Sequence, residues 1–488
     1  MPSTSASRLA ALRTLLKQEQ LDGLIIPHSD EFLGEYIPAC AERLAWATGF
    51  TGSAGLAIAL NSAASVFSDG RYITQMDQQV DQASWQCNHI YETPPSLWLA
   101  QNTSAGQRIG YDARTISHSE LSAIKAACSH LEFIATSGNL IDRLWTDRPA
   151  FPAGPAAVHP LVYAGEASLS KRTRLAQKLT ATGADAVVLS DSASVAWLLN
   201  IRGRDIPCTP VVLAFALLHK DASVDLFIER SKLPEDVKTW LGDDVRIHAP
   251  EQMEQVLATL KGKTVSVDPA TSAVWFAETL THYHAVIKEN SDPCLLPKAL
   301  KNATEQAGAR EAHLKDGAAL CRFLHWLDEH AHTTSELEAA IKLDSFRAEE
   351  EGYCEESFNA ISGAGPNGAV IHYRVTKESN RPLHANEVYL IDSGGQYPEG
   401  TTDVTRTVWT GPDTPPQQLK ETFTRVLKGN LRLGRVCLPA GPAGHSLYTP
   451  ARFYPSPAGL DYAHRHPHRL RSLPPSHERP LPIPNAPG

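Results

Sequence analysis

Residues 386–411, NEVYLIDSGGQYPEGTTDVTRTVWTG, read as an apolar strand, a glycine-rich turn region and a second, β-branched strand. The run Val388, Tyr389, Leu390, Ile391 closes at Asp392, and Asp403 opens the run Val404 to Val408 after a loop containing Gly400. β-Branched and aromatic residues suit a pleated, half-buried surface, and glycines punctuate it. If the two strands pair as neighbours, both carboxylates reach one end of a sheet, where hard oxygen donors suit Mn²⁺, Mg²⁺ or Co²⁺. Taken alone, the pair reads equally well as two turn-forming aspartates, because Asp is common beside Gly in turns.

Working upstream, residues 357–375, SFNAISGAGPNGAVIHYRV, place glycine, asparagine and proline turn signals ahead of an expected strand carrying His372. A single histidine there is also an ordinary core or edge residue. Residues 302–331 form one long amphipathic segment, and a second helix starts near Thr334, with Thr333 and Glu336 fitting a capping box.

Nearer the N-terminus the texture alternates. A helix near 7–20 puts Leu9, Leu12 and Leu16 on one face; DGLIIP, GLAIAL and SVFS read as strands, with a helix start near 40 and another at Ile73. Residues 147–166 concentrate Pro, Gly and Ala, as a connection between domains does. Beyond them come a helix from Ser168 to Thr182, the strand ADAVVLSD, a helix through SVAWLLN, the run TPVVLAFALL and the strand VDLFIE. The second α/β stretch repeats the element order of the first in pattern rather than in residues, which suggests an internal duplication. The expected domains are therefore 1–146 and 147–300, both α/β, then 301–464, with an irregular tail over 465–488.

Length and composition bound the class. A chain of 488 residues accommodates about three domains at roughly 100–200 residues each. Hydrophobic residues at 42% and charged residues at 20% are globular values. Apolar runs such as Val211 to Leu218 are too short to span a bilayer, and the N-terminus carries no apolar signal region, so no membrane partner and a cytoplasmic location are expected. Eight cysteines without a CxxC pair suggest neither a zinc ribbon nor a disulfide framework, and are expected reduced. The net charge of −9 offers no basic footprint for nucleic acid.

The ordered set NAISGAGPNGAVIHY (359–373) and NEVYLIDSGGQYPEGTTDVTRT (386–407) closely resembles aminopeptidase P of the three-domain type, one of the pita-bread metallopeptidases. The resemblance extends to ERLAWATGFTGSAG (42–55), SDGRY (68–72) and SVAWLLNIRGRDIP (194–207), so it covers nearly the whole chain. It implies two creatinase-like α/β N-terminal domains followed by an α+β pita-bread catalytic domain that removes an N-terminal residue preceding proline. It also implies two Mn²⁺ ions, Asp392 and Asp403 as ligands with Asp403 bridging, His372 guiding protons or substrate, peptides with proline at position two as partners, and a homodimer. On a register without gaps, GLDYAHRHPHRLRSLPPSHERP (459–480) falls on the family's HGTGHGVG and HEGP elements. His468 then matches a metal ligand, and His464 and His477 match catalytic histidines.

The chain departs from that pattern here. Arg465, Pro467, Arg469, Arg471 and Arg479 stand where the family has small residues, glycine above all. Glycine serves where backbone approaches closely or takes positive φ, and a guanidinium beside a dication is electrostatically unfavourable. The family takes its last two ligands from glutamates past the HEGP element, whereas this sequence stops at Gly488. The expectation is an incomplete catalytic domain, with activity in question. Residues 465–488, holding seven of the 34 prolines, read either as a divergent linker or as a shifted frame or truncated gene. A prolidase-like dipeptidase and a non-catalytic peptide-binding or dimerisation relative stand as alternatives; Asp392 and Asp403 count against a metal-free creatinase.

Overall fold

Leu9, Leu12, Leu15 and Leu16 recur at helical spacing, and in the computed structural model they are the buried face of α1 (Ser5–Gln18). The structure describes residues 4–435 and 453–460. Beyond α1, continuous apolar runs make strands buried on both faces: β1 (Gly23–Pro27), β2 (Leu56–Leu60) and β3 (Ala64–Ser68), joined by β4 (Gln86–His89), β5 (Arg108–Tyr111) and β6 (Glu132–Ala135). Their order is β4-β3-β2-β1-β5-β6. The pairs β1–β2 and β2–β3 are antiparallel; β3–β4, β1–β5 and β5–β6 are parallel.

A second six-stranded sheet follows: β7 (Ala186–Leu189), β8 (Phe215–His219), β9 (Val224–Phe227), β10 (Val245–His248), β11 (Thr264–Val267) and β12 (Val286–Glu289). Its order, β10-β9-β8-β7-β11-β12, and its strand directions repeat the first sheet position for position. The repeat reaches individual residues. Asp112 after β5 accepts from the Arg114 amide at 2.9 Å, and Asp268 after β11 accepts from the Ala270 amide at 2.9 Å. The second oxygen of Asp112 accepts from the Asn139 side chain at 2.8 Å, and that of Asp268 from the Asp292 amide at 2.8 Å. Asn139 and Asp292 in turn each accept from the amide two residues on.

Both sheets belong to one compact unit, Met1–Lys298. The cause is local: the loops after β5 and β11 bond to each other, the Val274 amide to the Ile116 carbonyl at 2.9 Å and the Ser119 amide to the Pro269 carbonyl at 2.8 Å.

The other unit, Ala299–Gly488, begins with α2 (Ala303–His330), whose start is closed by a reciprocal box between Asn302 and Glu305. The next helix, α3 (Glu336–Arg347), is capped by Ser335 with Glu338, not by the expected Thr333 and Glu336. Glu336 is turned inward and fully buried instead. The strands are β13 (Glu355–Glu356), β14 (Ile361–Ala364), β15 (Glu387–Ser393), β16 (Gly395–Tyr397), β17 (Gly400–Thr401) and β18 (Val404–Thr410). They form two three-stranded sheets, β14-β15-β18 and β13-β16-β17. Leu320, Phe323 and Leu327 of α2 pack with Leu343 of α3 and Tyr389 and Ile391 of β15 as the core of this unit. α4 (Gln417–Gly434) follows β18. Among the described residues seven cysteines are free, and no helix is long and apolar enough to cross a membrane.

Candidate metal centre

β15 and β18 pair antiparallel from Glu387↔Thr410 to Ser393↔Val404, as the alternating residues of 387–410 lead one to expect. The register sets Asp392 opposite Thr405, whose hydroxyl donates to Asp392 Oδ1 at 2.7 Å. Asp403 stands immediately before β18, and its carboxyl is hydrogen-bonded to that of Asp392. Burial, together with the charge of Asp316, pushes Asp403 up to about 6, although the bond to Asp392 pulls the other way. Two carboxyl groups in contact must share a proton or hold a cation between them.

The segment between them explains its glycines. A Cβ on Gly394 would lie 2.0 Å from the Thr402 carbonyl oxygen and 2.3 Å from Ser357 Oγ. That space is used by the Ser357 hydroxyl, which donates to the Thr402 carbonyl at 2.8 Å, and by the Gly395 amide, which donates to Thr402 Oγ1 at 2.8 Å. The residue before Asp403 is thereby locked to the residues after Asp392. From the other side α2 comes so close that a Cβ on Gly308 would be 2.4 Å from the Glu399 carbonyl oxygen, and Lys315 pairs with Glu399 at 2.6 Å.

Behind the carboxylates lies a buried ion pair. Arg347 of α3 donates through Nε to Asp316 of α2 at 2.7 Å and through Nη2 to Ser393 Oγ at 3.0 Å, with 1% and 2% exposure of the two charged residues. One guanidinium thus ties two helices to the residue next to Asp392.

His372 is not on a strand. β14 stops at Ala364 because Gly365 takes a left-handed φ of +52° and Pro366 has no amide hydrogen to continue a ladder. A 3₁₀ turn, Gly365–Ala369, folds the chain back over the sheet, with Gly368 against Gly363 and Leu390. His372 sits in the turn that follows, closed by the Tyr373 amide donating to the Val370 carbonyl at 3.2 Å. Glu336, expected as a capping residue, holds this segment with its carboxylate instead. Its signal was present: Glu336, Ala339, Leu343 and Arg347 are the buried stripe of α3.

Of the expected site residues, the structure brings Asp392 and Asp403 together; His464, His468 and His477 lie outside the described residues. Among the described residues no group of three or more His, Cys, Asp or Glu is placed to hold a metal ion. Two hard oxygen ligands in mutual contact suit a divalent cation and supply part of its shell.

Comparison with known proteins matches two Creatinase/Prolidase N-terminal domain families, at residues 8–144 and 147–305, and Metallopeptidase family M24 at residues 307–486. A probable Xaa-Pro aminopeptidase P of Coccidioides posadasii (strain C735) is 34% identical over 99% of this chain and 76% of its own length. The crystal structure of an X-prolyl aminopeptidase from Caenorhabditis elegans, described as a cytosolic enzyme with a di-nuclear active site, superposes with a TM-score of 0.92. It is 31% identical and covers 99% of this chain and 82% of its own. An Xaa-Pro dipeptidase from Bacillus anthracis, 20% identical with a TM-score of 0.51 over 64% of this chain and 84% of its own, shares the fold alone.

Proposed function

The chain belongs to the Xaa-Pro aminopeptidase P family, with an M24 metallopeptidase domain, and from that premise we propose that the Asp392–Asp403 hairpin is its metal centre. The activity is metal-dependent hydrolysis that releases the N-terminal residue of a peptide with proline at position two. The observation that carries the reading is the direct contact of the two carboxyl groups at one end of a paired hairpin, half-buried and bonded to one another.

Bound divalent ions supply a water of lowered pKa and polarise the scissile carbonyl. The work of the chain's own residues is to hold the two carboxylates: Thr405 orients Asp392, the Ser357–Thr402 contact fixes the approach of Asp403, and Arg347 secures Ser393. We assign proton or substrate handling to His372, a side-chain type that can both donate and accept a proton. His468 is taken as a further ligand, and His464 and His477 as residues of the substrate pocket, on their match to the family motifs. A bond to proline involves a nitrogen without hydrogen and a restrained ring, so the pocket must accept the ring rather than an amide donor. Two Mn²⁺ ions, a cytoplasmic location and a homodimer complete the proposal, with domain boundaries at 146/147 and 300/301 and a catalytic domain over 301–464 ahead of the 465–488 tail.

The test is substrate length. After chelation and return of Mn²⁺, Co²⁺ or Zn²⁺ in turn, an Xaa-Pro-Xaa tripeptide is cleaved at its first bond with Mn²⁺ the best activator, and an Xaa-Pro dipeptide is left intact. Preference for the dipeptide would make the protein a prolidase. Tripeptide affinity without turnover in any metal would make it a binding relative.

A further inference from the structure

Glu336 is completely buried, and among the described residues no lysine or arginine forms an ion pair with it. A carboxylate in that position has to be satisfied by hydrogen-bond donors. Its Oε1 accepts from the Ala364 amide at 2.7 Å and from Asn367 Nδ2 at 3.0 Å. Its Oε2 accepts from the Tyr373 hydroxyl at 2.9 Å and the Arg381 amide at 3.3 Å. All four donors belong to one stretch, residues 364–381, and His372 lies inside it. Between Ala364 and Tyr373 that stretch buries no side chain, so the carboxylate rather than apolar packing anchors it. Burial raises the Tyr373 hydroxyl to about 12, which keeps it a donor across the working range of pH.

We propose that Glu336 is a positioning residue for the hydrolysis: through Asn367 and Tyr373 it fixes the turn that presents His372, and it acts on the reaction only through that histidine. The inference rests on the reading of His372 as the residue that handles protons or substrate. It differs from a stability role because α3 and β14 have their own packing, whereas all four donors to this carboxylate lie in the stretch that carries His372.

The experiment uses the full chain loaded with Mn²⁺, the variants Glu336→Gln and Tyr373→Phe, and each of these combined with His372→Ala. Hydrogen exchange of residues 361–374 is followed with β15 and β18 as internal reference. Exchange is expected to rise about 10- to 100-fold in 361–374, the factor that losing a hydrogen bond to a charged group represents, with the reference strands unchanged. On an Xaa-Pro-Xaa tripeptide kcat should fall about 10- to 100-fold with KM unchanged, as for a small misplacement of a reacting group. In the His372→Ala background Glu336→Gln should cost nothing more, since two changes acting through one group are not additive. Unchanged exchange in both variants overturns the proposal, and so does a full additive loss in the double variants. Absence of turnover in the parent protein would contradict the proposed function, and the exchange measurement would still decide whether Glu336 is the anchor.

Discussion

A methyl group at position 394 has nowhere to go, because the Thr402 carbonyl and the Ser357 hydroxyl both lie within 2.3 Å of where it would be. Gly394→Ala should therefore destabilise the catalytic unit by about 1–3 kcal/mol, the usual cost of overpacking, measured by urea unfolding. A second prediction concerns Asp30, fully buried in the first unit, where burial raises its carboxyl from 3.8 to about 7. A raised folded pKa gives stability that is complete below the unfolded value and lost as pH rises through about 7. Relative to Asp30→Asn, the parent protein should weaken between about pH 4 and 7 by at most roughly 1.4 kcal/mol per pH unit and level off above that. A flat difference across that range would refute the assignment. At this scale the approach of Asp392 to Asp403 was legible, because each closes or opens an apolar run with glycines between. Glu336 was not, because an acid in a helix's first turn looks like a cap or a complement to the dipole, and only burial separates these roles.

The elements of the catalytic unit meet at Arg347. Its guanidinium joins α2 through Asp316 and β15 through Ser393, all buried. Arg347→Met leaves Asp316 uncompensated and should cost about 3–5 kcal/mol, whereas Arg347→Met with Asp316→Leu should recover most of it. Equal losses in the single and double variants would show that the pair is not the cause. Helices and strands were readable wherever one period ran unbroken, as in α1, β1 to β3 and the β15–β18 hairpin. The segment around His372 was misread as a strand because Val370 and Ile371 suggest one, while the left-handed φ at Gly365 and the pull of Glu336 on Tyr373 are tertiary facts.

Over the whole molecule, two sheets of identical order precede a catalytic unit of different architecture. The duplication was visible in the sequence only as a rhythm of elements. Its residue-level trace, Asp112 and Asn139 against Asp268 and Asp292, is too short to stand out until the strands before each aspartate are seen to occupy equivalent places. Family membership rests on 34% identity to a relative over 99% of this chain, and the catalytic reading rests on two carboxylates in contact. The most direct test is release of the first residue from an Xaa-Pro-Xaa peptide by chelated protein titrated with Mn²⁺, alongside Asp403→Ala and an Xaa-Ala-Xaa control peptide. The account predicts that release appears with Mn²⁺, is confined to the proline peptide and is abolished in Asp403→Ala; release that needs no metal, or survives that substitution, would contradict it.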